Sequence, residues 1–170
     1  MIKYLSILFL TTLIIPSALR PGSATKLNQF FDDYATGLLE AKAQHKPILL
    51  WFTGNTCKEN RDNQELIIES DQITDRLNDN FITIILHVDD RTKLDEVQVI
   101  EKDRDQLKLR TYGAKWAHLQ ITKYQSRRQP FLAIIDYRET RLLDYSRDKL
   151  NENDILKFLK AGIIEFEQLD

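Results

Sequence analysis

The chain has 170 residues, with 24 Lys+Arg against 26 Asp+Glu, 42% hydrophobic residues and one cysteine, the length and composition of one ordinary globular domain. A formal charge of -2 provides no excess of Lys and Arg for phosphate recognition, so nucleic acid is set aside as a partner. A lone cysteine excludes an internal disulfide, a multi-cysteine zinc site and an iron–sulfur cluster, so Cys57 acts with an outside thiol or not at all.

Met1-Ile2-Lys3 is a short basic start, and the apolar run that follows to Leu19 is interrupted by Pro16 and closed by Arg20-Pro21-Gly22-Ser23-Ala24. This reads as a secretory signal over residues 1–24, cleaved after Ala18 or Ala24, because the run falls short of the roughly 20 apolar residues a spanning helix needs. No cysteine follows the run to carry a lipid anchor. The expected product is an exported domain over 25–170, periplasmic or secreted, with membrane contact only if the leader is retained.

Leu27, Phe30, Phe31, Tyr34, Leu38 and Ala41 recur at helical spacing, with Asp32-Asp33 early and Lys42, His45 and Lys46 late, and predict an amphipathic helix. The apolar run over 47–52, bounded by Pro47 and by Thr53-Gly54-Asn55, predicts a strand buried on both faces. Asn55 or Thr56 is placed to cap the next helix, whose stripe is Leu66, Ile67, Ile73 and Leu77, with a kink or restart at Ser70-Asp71. A second strand covers 81–88. Residues 89–112 are highly charged, and Val97, Val99, Leu107 and Leu109 alternate around Lys102-Asp103-Arg104-Asp105, which predicts a solvent-facing hairpin inserted into the domain. A helix from Lys115 to Tyr124 carries Trp116 and Leu119 on one face. Gln129-Pro130 then introduces a strand over 131–136, an antiparallel edge strand follows over 142–145, and Ile155, Phe158, Leu159, Ile163 and Phe166 mark a C-terminal helix capped by Asn151. This order predicts a layered α/β domain.

The informative stretch for chemistry is Trp51-Phe52-Thr53-Gly54-Asn55-Thr56-Cys57-Lys58-Glu59-Asn60, in which a buried strand runs through a loop and sets Cys57 at the first turn of a helix. Free N–H groups and partial positive charge at a helix start favour an anion, and the thiolate is the reactive form of cysteine. The same position also suits an inert, half-buried thiol. His45, His87 and His118 lack metal-ligand spacing, so no metal site and no cofactor is expected. Asp89-Asp90 at a strand end has no EF-hand loop behind it and reads as a solvated pair. Trp116, with Tyr112 and Tyr124, is a candidate groove wall, and Arg127-Arg128 precede Gln129-Pro130.

Together these residues resemble the thioredoxin superfamily, and more narrowly the thioredoxin-like C-terminal domain of DsbD-type thiol:disulfide interchange proteins. The resemblance rests on Phe52-Thr53-Gly54, Cys57, Val88-Asp89-Asp90-Arg91-Thr92, Leu109-Arg110-Thr111, Gly113, Lys115-Trp116, Leu119-Gln120 and Gln129-Pro130. It implies a thioredoxin-like fold with a central mixed sheet flanked by helices, and a cis Pro130 facing the motif, where the Gln129 backbone pairs with a substrate. It also implies that Asn60 stands where the second cysteine of Cys-x-x-Cys belongs, and that Trp51 stands where many thioredoxins bury an acid. On this resemblance Cys57, Asn60 and Pro130 form the catalytic set, and Thr56, Gln129 and Trp116 the substrate-binding set.

Two functions arise as expectations. In one, Cys57 exchanges with protein or small-molecule thiols and disulfides through a mixed disulfide that an outside thiol resolves. In the other, the fold is a non-catalytic binding or accessory module that uses the groove beside Pro130. For the leader, intact-mass analysis of the exported chain is expected to place its first residue directly after Ala18 or Ala24; an exported chain that keeps Met1 contradicts cleavage.

Overall fold

The computed structural model describes residues 27, 29–102 and 105–169; the expected leader over 1–24 lies outside them. The elements in chain order are β1 (Phe30–Phe31), α1 (Tyr34–Gln44), β2 (Ile48–Thr53), α2 (Lys58–Glu69), α3 (Asp71–Asn80), β3 (Ile82–His87), β4 (Lys93–Lys102), β5 (Asp105–Thr111), α4 (Tyr112–Tyr124), β6 (Phe131–Ile135), β7 (Arg141–Tyr145) and α5 (Glu152–Glu167). Five strands form one mixed sheet in the order β1-β3-β2-β6-β7, and β4 and β5 form a separate two-stranded ribbon.

The middle of the sheet follows from the unbroken apolar runs. All six residues of β2 and all five of β6 are buried, as are the first five of β3. Alternate side chains of these strands enter two different cores. Leu49 and Trp51 join Ile67, Ile73, Leu77, Ile155 and Leu159 on the side covered by α2, α3 and α5. Ile48, Leu50 and Phe52 join Ala41, Trp116 and Tyr124 on the side covered by α1 and α4. Each fully buried Leu, Ile or Phe contributes roughly 1.5–3 kcal/mol of transfer free energy, so a strand feeding both cores is the hardest element to displace.

β2 runs parallel to β3, with Thr53 opposite His87, and antiparallel to β6, with Phe52 opposite Phe131. The C-terminal ends of β2 and β3 and the N-terminal start of β6 therefore meet at one end of the sheet. At the opposite end of β6, Lys123 of α4 pairs with Glu139 in the β6–β7 turn, and Tyr34 of α1 donates to the same carboxylate at 3.1 Å. The Lys123 hydrogen bond holds the Glu139 carboxyl below its ordinary range against partial burial. Burial pushes the neighbouring Tyr124 phenol up to about 12.

The structure departs from the sequence-based expectations in three places. Phe30 and Phe31 are not helical: they form an edge strand parallel to β3, pairing with Thr83 and Ile84. The helix begins only at Tyr34, because the Asp33 carboxylate caps it by accepting from the Thr36 N–H at 2.8 Å and from its hydroxyl at 2.9 Å. The second helix is capped by Cys57 rather than by Asn55 or Thr56. It stops at Glu69, and Ser70 caps a new helix by accepting from the Ile73 N–H.

The third departure is at the charged insertion. The ribbon ends at Thr111, whose hydroxyl accepts from the Ala114 N–H, so α4 starts at Tyr112, three residues before the expected Lys115. Gly113 makes this start possible. A Cβ there would lie 2.5 Å from the Asp90 carbonyl oxygen and 2.6 Å from its nitrogen, both backbone atoms that cannot swing aside. The Gly113 N–H donates to that same carbonyl at 3.0 Å. Gly113→Ala is expected to lower stability by about 1–3 kcal/mol through overpacking, read as a reduced urea midpoint; an unchanged midpoint contradicts the close approach.

Candidate functional site

Cys57 is exposed and sits at the cap position of α2 with extended backbone geometry, where its sulfur accepts from the Asn60 N–H at 3.4 Å. The sulfur thus meets one of the free N–H groups that every helix start presents. Asn60 is buried, 7% exposed, with its amide against the Gly54 backbone: a Cβ at Gly54 would lie 3.3 Å from Asn60 Nδ2.

The loop between β2 and α2 is held from three directions. Asp89, two residues past β3, accepts through one carboxylate oxygen from the Asn55 N–H at 2.8 Å and the Thr56 N–H at 2.9 Å. Arg61 donates to the Asn55 carbonyl at 3.0 Å. Gln64 donates to the Thr53 hydroxyl at 3.0 Å and the Gly54 carbonyl at 3.3 Å. Partial burial raises the Asp89 carboxyl, but hydrogen bonds from the Thr56 side chain and from the Asn55 and Thr56 backbone outweigh it and hold the group below its ordinary range.

The second half of the site is the segment before β6. The Gln129–Pro130 peptide bond is cis, Pro130 is buried, and its carbonyl accepts from the Ser146 hydroxyl at 3.0 Å. Gln120 of α4, 1% exposed, positions this segment by donating to the Arg128 carbonyl at 2.7 Å and accepting from the Gln129 side chain at 3.2 Å. Asn63 of α2 performs the equivalent task for the chain after β7, donating to the Asp148 carbonyl at 3.0 Å and accepting from the Leu150 N–H at 2.9 Å. Because Phe52 faces Phe131, the loop carrying Thr56 and Cys57 and the loop carrying Gln129 and Pro130 leave the same end of neighbouring strands.

Trp116 does not join them. It is 3% exposed, packs with Phe52 and Tyr124 beneath α4, and lines two surface clefts of about 320 and 420 Å³ that contain none of Cys57, Gln129 and Pro130. Its indole contacts are Tyr112 at 6.1 Å and the Lys115 ammonium at 4.4 Å from the ring centre. The physical reason is the helical face: α4 turns Trp116 toward the core and the ribbon, whereas Gln120, one turn on, reaches the Pro130 segment.

The histidines lie in separate environments. His45 packs against Tyr137 and Phe166. His87 lines the larger cleft with Asp32, Asp33 and Asp90, and His118 the smaller. Among the described residues no group of three His, Cys, Asp or Glu is arranged to hold a metal ion. Arg127 and Arg128 are exposed. Sequence reasoning missed Asp89, Arg61, Gln64, Asn63 and Gln120 as the residues that hold the two loops. The available signal was the position of Arg61 and Gln64 one and two turns along the helix from Cys57.

No family model matches the chain, and no curated protein matches it. Among solved structures it is similar to a DsbH oxidoreductase, at 17% identity and TM-score 0.59 over 90% of this chain and 95% of that one. A thioredoxin from Thermus thermophilus in solution matches at 12% identity and TM-score 0.58 over 82% of this chain and 91% of that one. The C-terminal domain of Neisseria meningitidis DsbD in its oxidised form matches at 11% identity and TM-score 0.51 over 79% of this chain and 99% of that one. At these identities the likeness establishes the fold: the chain has a thioredoxin-like fold.

The geometry of Gln120 generates a test. Gln120→Leu keeps the volume but leaves the Arg128 carbonyl and the Gln129 amide without their partner. It is expected to cost about 1–3 kcal/mol in a denaturant titration. A loss below a few tenths contradicts the positioning role.

Proposed function

We propose that this chain is an exported thiol–disulfide exchange protein that works through Cys57 alone, on protein or small-molecule thiols and disulfides. The observation that supports it best is the exposed sulfur at the head of α2 together with the cis Gln129–Pro130 bond at the same end of the sheet. The Cys57 thiolate attacks one sulfur of a partner disulfide; a new S–S bond forms to Cys57, and the partner's other sulfur leaves as a thiolate. Asn60 occupies the position from which a second thiol would attack that bond. An outside thiol therefore resolves the mixed disulfide, regenerating Cys57 and joining the two outside sulfurs. Thr56 and Gln129 flank the path of an incoming partner, and the backbone ahead of Pro130 is the edge offered to it. Export rests on the pattern of residues 1–24; among the described residues no helix is long and apolar enough to cross a membrane.

Native Cys57 is expected to be alkylated faster than the same thiol in the urea-unfolded chain at equal pH. It should form a persistent mixed disulfide with a small-molecule disulfide and show little multiple-turnover reduction of insulin. Asn60→Cys is expected to yield an internal disulfide and a gain in turnover, because residues three apart at a helix start meet the sulfur geometry. A thiol that reacts only after unfolding overturns exchange and leaves the non-catalytic module.

A further inference from the structure

We propose that Asp89 is a positioning residue for Cys57: its carboxylate, held in a cradle of two successive backbone N–H groups, fixes the β2–α2 loop so that the Cys57 sulfur meets the Asn60 N–H. This deepens the exchange reading and rests on it for its chemical consequence.

The loop's hydrogen-bonding groups divide by origin. Its acceptors are met from within the following helix: Arg61 takes the Asn55 carbonyl and Gln64 the Gly54 carbonyl. Its donors at Asn55 and Thr56 are met from a different part of the chain, 34 and 33 residues away, by one Asp89 oxygen. That contact ties the Cys57 loop to the end of β3, beyond the last ladder bond from the Val88 N–H to the Thr53 carbonyl at 2.8 Å. Gly54 is part of the same device. A Cβ there would stand 3.1 Å from the Asp89 oxygen and 3.3 Å from Asn60 Nδ2, so the bare backbone lets the carboxylate and the Asn60 amide close on the loop from two sides.

A carboxylate accepting two backbone N–H groups makes charge-assisted bonds, stronger than the neutral kind. The depressed ionisation of Asp89 agrees with that geometry. Asp89 is not a catalytic residue: it touches the backbone before Cys57 and acts through it. Because the carboxylate already fills the N–H cradle, that cradle is closed to an anionic group of a partner.

The test compares Asp89→Asn with Asp89→Ala, which carry the same charge and differ in whether an oxygen acceptor remains. The rate of Cys57 alkylation by neutral iodoacetamide is measured for both variants and the parent, alongside thermal unfolding. The Asn variant is expected to alkylate at least as fast as the parent, and the Ala variant about fivefold more slowly than the Asn variant, the scale of one lost hydrogen bond. A stabilising contact with no link to Cys57 lowers the melting temperature and leaves the two rates equal, which overturns the proposal. The anionic reagent iodoacetate supplies a second readout: its rate relative to iodoacetamide is expected to rise more in the Ala variant, where the cradle is empty, than in the equally charged Asn variant, and equal ratios in the two variants contradict the filled cradle.

Amide hydrogen exchange in the parent protein needs no variant to fold. The Asn55 and Thr56 amides are expected to be protected, and exchange at the free-peptide rate overturns the clamp. If Cys57 reacts no faster in the folded parent than in the unfolded chain, the exchange reading fails, while amide protection still reports on the clamp itself.

Discussion

The burial of β2 on both faces is the constraint on which the rest of the molecule depends. A strand whose six side chains are all removed from water needs a neighbour on each edge and a covering layer on each face; here β3 pairs with it in parallel, β6 antiparallel, and helices cover both faces. Its backbone groups are satisfied by β3 and β6 as far as Thr53, and there the ladder ends. The segment after Thr53 leaves the sheet as a polar loop in which Gly54 is still buried and its carbonyl needs a partner, while Asn55 and Thr56 reach the surface and take protein partners in place of water. Asp89, Arg61 and Gln64 meet that demand. The loop that carries Cys57 is thus tied both to the end of β3 and to the helix that follows it.

The same demand governs the Pro130 side. Gln120 and Asn63 are buried polar side chains on helices, each donating to one loop carbonyl and accepting from one N–H group across the gap. Buried amides used in this way bring the helices and the irregular segments into a fixed relation, since either partner left alone carries a desolvation cost. α2 therefore does three things at once: it carries Cys57 at its head, holds the preceding loop through Arg61 and Gln64, and anchors the chain after β7 through Asn63.

Much of this is legible in the sequence, and the parts that are not share a cause. The strands β2, β3 and β6 are readable because a fully buried strand leaves an unbroken apolar run, and Gln129-Pro130 stands directly before one of them. Phe30-Phe31 misleads because two aromatic residues spaced with Tyr34 and Leu38 fit a helix as well as a two-residue edge strand; only the Asp33 cap separates them. Asn55 and Thr56 have the right chemistry for a cap, yet the loop commits their N–H groups to Asp89, and the helix starts one residue later than Thr56 would have placed it. A contact spanning 34 residues leaves no local pattern, which is why Asp89 reads as a solvated strand-end acid. Periodicity puts Trp116 on a buried face without saying which neighbours share that face.

The pairing of Trp51 with Asn60 in one sequence has a physical logic. Under the proposed exchange through Cys57 alone, a base at position 51 has no second thiol to serve, because Asn60 stands one helical turn from Cys57. A carboxylate buried there would carry several kcal/mol of desolvation with nothing to offset it. Trp51 replaces it with an indole that is 0% exposed and packs among Ile67, Ile73, Leu132 and Leu159. The exchange is incomplete: the indole Nε1–H is buried without a hydrogen-bond partner, a residual penalty of about 1–3 kcal/mol. At this point of β2 the interior holds an unpaired neutral donor and no charge, in keeping with the proposed exchange at the outer sulfur alone. Under the same proposal, a cysteine introduced at position 60 finds no carboxylate at position 51 to take its proton.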